Sequence, residues 1–287
     1  MGTPREGIRN ISDTAAWAAV YRAEETKRPD ALFRDPLAAR LAGERGGAIR
    51  KSLPRRARRA WPWVARTVLF DRLITESIAR GADLVLNLAA GLDARPYRMS
   101  LPPTLQWIEV DLPDLLDYKE RVLAGERPNC KLERVRLDLS DRVSRQELFS
   151  MIGLRTKRAL VITEGLLVYL APEDVGTLAD DLLKPTGFAE WLLDLVSPGI
   201  LRLLEKEIGS ELAAANAPPK FGPCEGTDFF LPHGWQPVSV DSLLKTAARL
   251  GRLPLGLRLI AFLPEPPRPG KRPWSGACLF ERREAAT

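Results

Sequence analysis

Hydrophobic positions change period along the chain, and the change divides it in two. Over residues 13–27 small apolar residues (Ala15, Ala16, Ala19, Val20, Ala23) share one face, with Ser12 or Asp13 as a cap and Pro29 as a stop. That spacing predicts a helix. Asp35-Pro36 turns the chain into a short helical piece at 37–41, and 43–47 reads as loop. From Trp63 the spacing of Val64, Val68, Leu69, Leu73, Ile74 and Ile78 is helical as far as Gly81.

Beyond Gly81, apolar runs of strand length alternate with helical stretches. Strands are expected at 84–88, 106–110, 132–137, 159–163 and 188–196, and helices at 113–123, from 141 or 144 to 151, at 172–183 and at 199–215. Pro113 and Pro172 each suit a first helical turn. A loop rich in Pro, Gly and Phe spans 218–234, and a helix is expected at 240–250. Two late strands, 257–263 and 277–282, flank the stretch Pro-Glu-Pro-Pro-Arg-Pro-Gly-Lys-Arg-Pro, whose prolines oppose helix and pairing. With no helix between them they read as an antiparallel hairpin. Alternation of this kind specifies an α/β fold with a mostly parallel sheet and helices on both faces. Residues 1–80 are then a helical cap over the carboxyl edge of the sheet. Residues 81–287 form the main domain, with an insertion near 198–238.

The chain has 287 residues, long enough for a large core, and is 45% hydrophobic and 28% charged, as in ordinary globular proteins. The apolar run 159–171 is too short to span a bilayer and contains Glu164, and the first ten residues have no apolar signal core. Cys130, Cys224 and Cys278 are odd in number and far apart, so neither a disulfide framework nor a metal site is expected. These features lead to the expectation of a cytoplasmic protein with no membrane partner. The net charge of +6 is uneven: Arg50 to Arg66 carries seven basic residues and no acid. Such a run is either a nucleic-acid or acidic-lipid patch or a solvated connector and helix face.

The chemistry lies at the strand ends. The run at 84–88 leads into Ala89-Ala90-Gly91, a tight turn of small residues, then Asp93-Ala94-Arg95; about 20 residues beyond Gly91 the next strand ends in Asp111. Strand, small-residue turn, helix and acid-ended strand is the layout of a nucleotide-binding unit, in which the acid accepts the ribose hydroxyls. Asp138 and Glu164 end the next strands, so acids stand on successive tips at the edge where open α/β sheets bind ligands. Each could instead cap a helix, Asp138 and Asp141 being the best cases. Only Gly91 remains of a three-glycine dinucleotide fingerprint, and no phosphate-binding lysine follows the turn.

Several ordered motifs carry a resemblance: L-A-A-G-L-D-A-R-P-Y-R at 88–98, W-I-E-V-D-L-P at 107–113 followed by Lys119, L-D-L at 137–139 and I-T-E-G-L-L-V-Y-L at 162–170. With S-D-T-A-A-W at 12–17, Y-R-A-E-E at 21–25, D-P-L-A at 35–38 and A-R-T-V-L-F-D at 65–71, the chain resembles the leucine carboxyl methyltransferase and polyketide O-methyltransferase family, in its bacterial branch. The resemblance implies the class I methyltransferase fold, a Rossmann-like seven-stranded sheet closed by an antiparallel hairpin. It implies S-adenosyl-L-methionine as cofactor and S-adenosylhomocysteine as product. By the same resemblance Arg66 pairs with the methionine carboxylate, Ala89, Ala90 and Gly91 line the methionine moiety, Asp111 with Leu112 holds the ribose, and Asp138 and Leu139 hold the adenine. Glu164 then sits near the α-amino group or the reacting centre, with Tyr169 beneath. The family often has glycine where Ala89 stands; alanine serves there if its φ stays negative.

The expected activity is O-methylation of a small-molecule carboxylate or hydroxyl, in secondary metabolism. The alternatives are a protein C-terminal carboxyl group and, on the strength of the basic run, an RNA; the RNA reading lacks aromatics interleaved on a basic sheet face. A carboxylate acceptor needs no base at neutral pH, whereas a hydroxyl needs one. Glu164, Tyr169 and His233, the sole histidine, are the candidate catalytic residues. His233 is either such a base or an exposed loop residue, Tyr169 either a site residue or a core aromatic. Trp191, Phe221, Phe229, Phe230 and Trp235 either shape an acceptor pocket or fill the core.

Overall fold

The computed structural model describes residues 11–54, 58–214, 217–265 and 268–283. Three helices precede the sheet: α1 (Ile11–Thr26), α2 (Ala38–Ser52) and α3 (Trp61–Ala79). The strands are β1 (Leu84–Leu88), β2 (Gln106–Asp111), β3 (Lys131–Arg136), β4 (Ala159–Thr163), β5 (Phe188–Val196), β6 (Trp235–Ser242) and β7 (Ser275–Arg282). Between them lie α4 (Arg95–Arg98), α5 (Pro113–Val122), α6 (Arg142–Gly153), α7 (Pro172–Leu183), α8 (Pro198–Ala214), α9 (Leu243–Arg249) and α10 (Leu255–Ala261).

The seven strands form one sheet in the order β3-β2-β1-β4-β5-β7-β6. The pairs from β3 to β5 are parallel, while β7 is antiparallel to both β5 and β6. This is the expected seven-stranded, mostly parallel architecture. The two-residue period of each strand sorts its side chains between two cores. Leu84, Leu86, Leu88 and Val161 join α6 and α7 residues on one face; Val85, Leu160 and Ile162 join Leu69, Phe70, Leu73 and Ile74 of α3 on the other. Each such side chain, fully buried, contributes roughly 1.5–3 kcal/mol. Thus α3 is a layer of the sheet, not part of a cap. The helices α1 and α2 form a third cluster with Leu92, Ala94 and Tyr169, which follow β1 and β4 at the carboxyl edge.

The late elements differ from the sequence expectation. Residues 257–261 of the expected strand belong to helix α10, and the partner of β7 is β6, which begins just after the expected loop and takes the first residues of the expected helix at 240–250. Both sides of β7 are taken by β5 and β6, which excludes the expected hairpin of 257–263 with β7. Pro237 disguises β6; it is tolerated because β6 is an edge strand and the register shifts between Pro237 and Ser239. The insertion expected near 198–238 therefore ends where β6 begins. In α2 the helix continues past 41, bending at Gly43, whose φ of 55° is left-handed.

Candidate functional site

The turn after β1 and the end of β2 are joined by one carboxylate. Asp111 accepts the Gly91 N–H at 2.6 Å on Oδ2 and the Leu112 N–H at 2.7 Å on Oδ1. Burial pushes its carboxyl up; the two N–H donors and the charge of Lys119 act against that. Each oxygen keeps a lone pair for a further donor. Gly91 is left-handed (φ 51°), and a Cβ there would stand 3.1 Å from the Ala15 Cβ, so only glycine lets α1 close over the turn. Ala89 has a φ of 52°, the one positive value of a non-glycine among the described residues. The expected negative φ is thus corrected: hydrogen bonds from Ala90 N–H to Val110 and from Asp93 N–H to Ala90 hold the turn in a shape that forces it. Lys119 is not a ligand group here; it is spent on Glu109, 2.8 Å away and equally buried.

Behind this turn lies an arginine–carboxylate network. Arg66, on the first half of α3, places Nε 2.9 Å from Glu164 and Nη1 2.8 Å from Asp194, and its guanidinium lies over the Trp63 ring. Arg95 reaches Glu164 at 2.7 Å, Asp93 at 2.9 Å and Asp71 at 2.7 Å. Arg98 takes the other side of Asp71 with a two-pronged contact. Burial opposes ionisation of Asp93, but Arg95, Lys119, Arg22 and Arg98 more than offset it and hold its carboxyl at about 2. Asp194 also accepts the Gly165 N–H at 2.6 Å, which ties the β5 tip to the β4 tip. Asp71, Arg95, Arg98 and Asp194 were not among the sequence-derived site residues. Asp194 carried the same signal as Asp111, an acid near a strand end; the arginines carried none beyond their place in D-A-R-P-Y-R.

The remaining predicted residues divide. Tyr169 stands beside the network in the 3₁₀ turn Leu167–Tyr169; burial raises its phenol, and Thr14 hydrogen-bonds it while Arg66 lowers it. Asp138 and Leu139 follow β3 at the same edge. Asp138 is exposed and accepts the Ser140 N–H at 2.9 Å, and the Leu139 carbonyl accepts Arg145 at 2.7 Å. The helix cap is Asp141, which accepts the Ser144 N–H. His233 is not brought to the site. Its Nδ1 pairs with Asp180 at 2.7 Å, and its ring lies against Gly176 and Phe229, along α7. The pocket aromatics are also relocated: Trp191, Phe221, Phe230 and Trp235 are buried core residues in edge-to-face contacts.

Four of the described members of the basic run, Arg50, Arg58, Arg59 and Arg66, have partners inside the chain. Arg50 pairs with Glu24 at 3.0 Å, Arg58 donates to the Leu53 carbonyl at 2.6 Å and Arg59 lies 3.8 Å from Glu207. Residues 55–57 of the run lie outside the described residues.

The donor set fits the cofactor that the motifs imply. Nε of Arg66 is buried and makes no aligned hydrogen bond, so its 2.9 Å contact with Glu164 is one of charge. The network holds four carboxylates (Asp71, Asp93, Glu164, Asp194) against three guanidiniums (Arg66, Arg95, Arg98). That excess suits a ligand with a sulfonium and an ammonium but one carboxylate.

Comparison with known proteins agrees with this geometry. The model of the leucine carboxyl methyltransferase family matches residues 15–183. A protein of Streptomyces avermitilis provisionally assigned as an S-adenosyl-L-methionine-dependent methyltransferase is 32% identical over 83% of this chain and 87% of its own length. A protein of Parafrankia with the same assignment is 32% identical over 82% of this chain and 80% of its own. Among solved structures, a DUF574-family protein from Streptomyces avermitilis superposes with a TM-score of 0.56 at 17% identity, covering 92% of this chain and 96% of that one. A methyltransferase, so assigned provisionally, from Thermobifida fusca gives 0.57 at 16% identity, covering 96% of each chain. The fold is therefore that of class I methyltransferases, and the chain belongs to the leucine carboxyl methyltransferase family of S-adenosyl-L-methionine-dependent methyltransferases.

Proposed function

We propose that the protein methylates an oxygen of a small-molecule acceptor, and that this oxygen belongs to a carboxylate. One observation carries the choice: both oxygens of Glu164 are engaged by guanidiniums, Arg66 at 2.9 Å and Arg95 at 2.7 Å. A carboxylate flanked on both oxygens by guanidiniums is committed to them and is not presented to an acceptor hydroxyl. Tyr169, with its phenol raised by burial, is no base at neutral pH, and His233 is turned toward Asp180. A carboxylate acceptor is ionised without help, whereas a hydroxyl is not.

S-adenosyl-L-methionine, when bound, supplies a methyl group on a positively charged sulfur. Asp111 would accept the ribose hydroxyls, Arg66 would face the methionine carboxylate, and Ala89, Ala90, Gly91 and Leu112 would line the ligand. Asp138 and Leu139 stand where the adenine would lie. The chain's own task is to hold the acceptor oxygen in line and keep water out. Tyr169 and the α1 helix closing over Gly91 serve that end.

The family's name also points to a carboxyl group, and a peptide C-terminus would present the same chemistry. The test is methyl transfer from labelled cofactor to matched panels of acids, phenols and C-terminal peptides, followed by mild alkali. A methyl ester releases labelled methanol; an alkali-stable product would refute the carboxylate reading. Labelling of the peptides alone would move the acceptor to protein.

A further inference from the structure

A cavity lies beside the edge strand β6. It has a volume of about 870 Å³, between the end of β6, the α9 and α10 helices and Trp274. That is within the roughly 300–1,000 Å³ typical of small-molecule sites. In the strand order β6 is three places from β4, whose tip carries Glu164. At about 4.8 Å per strand this is about 14 Å from the β4 tip.

The walls have a defined chemistry. Val240, Ala248, Phe262 and Trp274 give apolar surface, and Phe262 is 85% exposed. The apolar surface runs on over α10, where Leu255 and Leu259 are each 77% exposed and Leu263 is 60% exposed. Such a strip is unusual on a folded chain unless something covers it. The acids at the cavity are already committed. Asp228 pairs with Arg268 at 2.6 Å and Asp241 with Arg72 at 2.7 Å. Glu265 is committed to the Ser242 hydroxyl at 2.7 Å and the Trp274 N–H at 3.3 Å, neutral donors that leave one negative charge beside the cavity. The two cations are not: among the described residues no carboxylate pairs with Lys245 or Arg249, and Arg249 donates only to the Thr246 hydroxyl. The segment from Lys245 to Arg272 carries seven basic residues and one acid, Glu265. Apolar walls beside two unpaired cations are complementary to a molecule with an aliphatic body and an anionic head.

We propose that this cavity binds an anionic amphiphile, its carboxylate between Lys245 and Arg249 and its chain against Val240, Phe262 and Trp274. The proposal stands apart from the acceptor assignment.

Laurate below its micelle concentration is the probe, titrated calorimetrically into the full chain. Dodecyltrimethylammonium, with the same chain and opposite charge, is the control. The expected result is saturable binding of one laurate per chain, at least tenfold weaker in Lys245→Glu/Arg249→Glu, with cofactor binding unchanged in that variant. The fold should tolerate the change, because Ser242 caps α9 through the Lys245 N–H and glutamate at that position completes a capping box. Phe262→Ser, at an exposed position, should weaken laurate without reversing any charge. The proposal is overturned if laurate does not saturate, if the cationic chain binds equally, or if the double variant binds as the parent does. Co-sedimentation with anionic vesicles in the absence of laurate binding would also overturn it, and would give the α10 strip to a lipid surface.

Discussion

Nη1 of Arg95 lies 2.7 Å from Oε2 of Glu164, and only 3% of the Arg95 side chain is exposed. The same guanidinium reaches Asp71 on α3 and Asp93 in the β1 turn, so one side chain joins three elements around the site. Arg95→Met would leave three carboxylates without their shared partner. Breaking a buried pair in this way costs about 3–5 kcal/mol. Thermal unfolding should show that loss, and Arg95→Lys should recover only part of it, since an ammonium lacks the fork. A fully stable Arg95→Met protein would mean that the network does not hold the site.

Ala89 supplies a second prediction. A left-handed alanine costs roughly 1–2 kcal/mol, and glycine in its place gives back about 0.5–1 kcal/mol in chain entropy. Ala89→Gly should therefore leave stability within about 1 kcal/mol of the parent. Ala89→Val, β-branched and confined to the same backbone, should cost about 1–3 kcal/mol more than the glycine variant. Equal melting temperatures for the two would show that the turn does not hold its positive φ in solution.

Much of this was legible in the sequence because the parallel half of the sheet is written in local signals. Apolar runs of strand length, first-turn prolines and acids at strand ends mark β1 to β5. The antiparallel half is not. Pro237 breaks the pattern of β6, and the run around α10 mimics a strand although both sides of β7, its expected partner, are already paired. The residues proposed to hold the cofactor lie close in sequence to the strand tips. The arginines that fix them act across 24 residues, as Arg95 does to Asp71, or 128, as Arg66 does to Asp194. Contacts that distant follow from the fold and have no pattern of their own. His233 shows the converse: its rarity drew attention, but α7 provides its partner.

His233→Ala should accordingly leave both cofactor affinity and turnover unchanged. The pair it forms is partly open to solvent, with Asp180 57% exposed, so its loss should cost no more than about 1 kcal/mol. Steady-state kinetics with any acceptor found by the labelling panel checks this. A drop in kcat beyond about tenfold would return His233 to the reaction.

Asp111 gives the most direct test of the cofactor site, and it has a pH signature. Burial holds its carboxyl above the usual range, so the folded protein binds this proton more tightly than the unfolded chain. That part of the stability is present at low pH and is lost as pH rises through the raised value. Asp93 acts oppositely: the stability it contributes is present above its ordinary value of 3.8 and is lost as pH falls toward about 2. Ribose hydroxyls donate more strongly to the charged form of Asp111, which offers two acceptor oxygens, than to the protonated form. Cofactor affinity should therefore weaken as pH falls through the Asp111 titration, while Asp93 stays ionised and the turn stays folded. Asp111→Asn keeps one acceptor for the backbone N–H groups but loses the charge. A hydrogen bond to a charged group is worth about 1.5–3 kcal/mol, so binding should weaken by about 10- to 150-fold and lose this pH dependence. Calorimetric titration of both proteins across the acid range measures each effect. An unchanged affinity in Asp111→Asn would remove Asp111 from the ribose site.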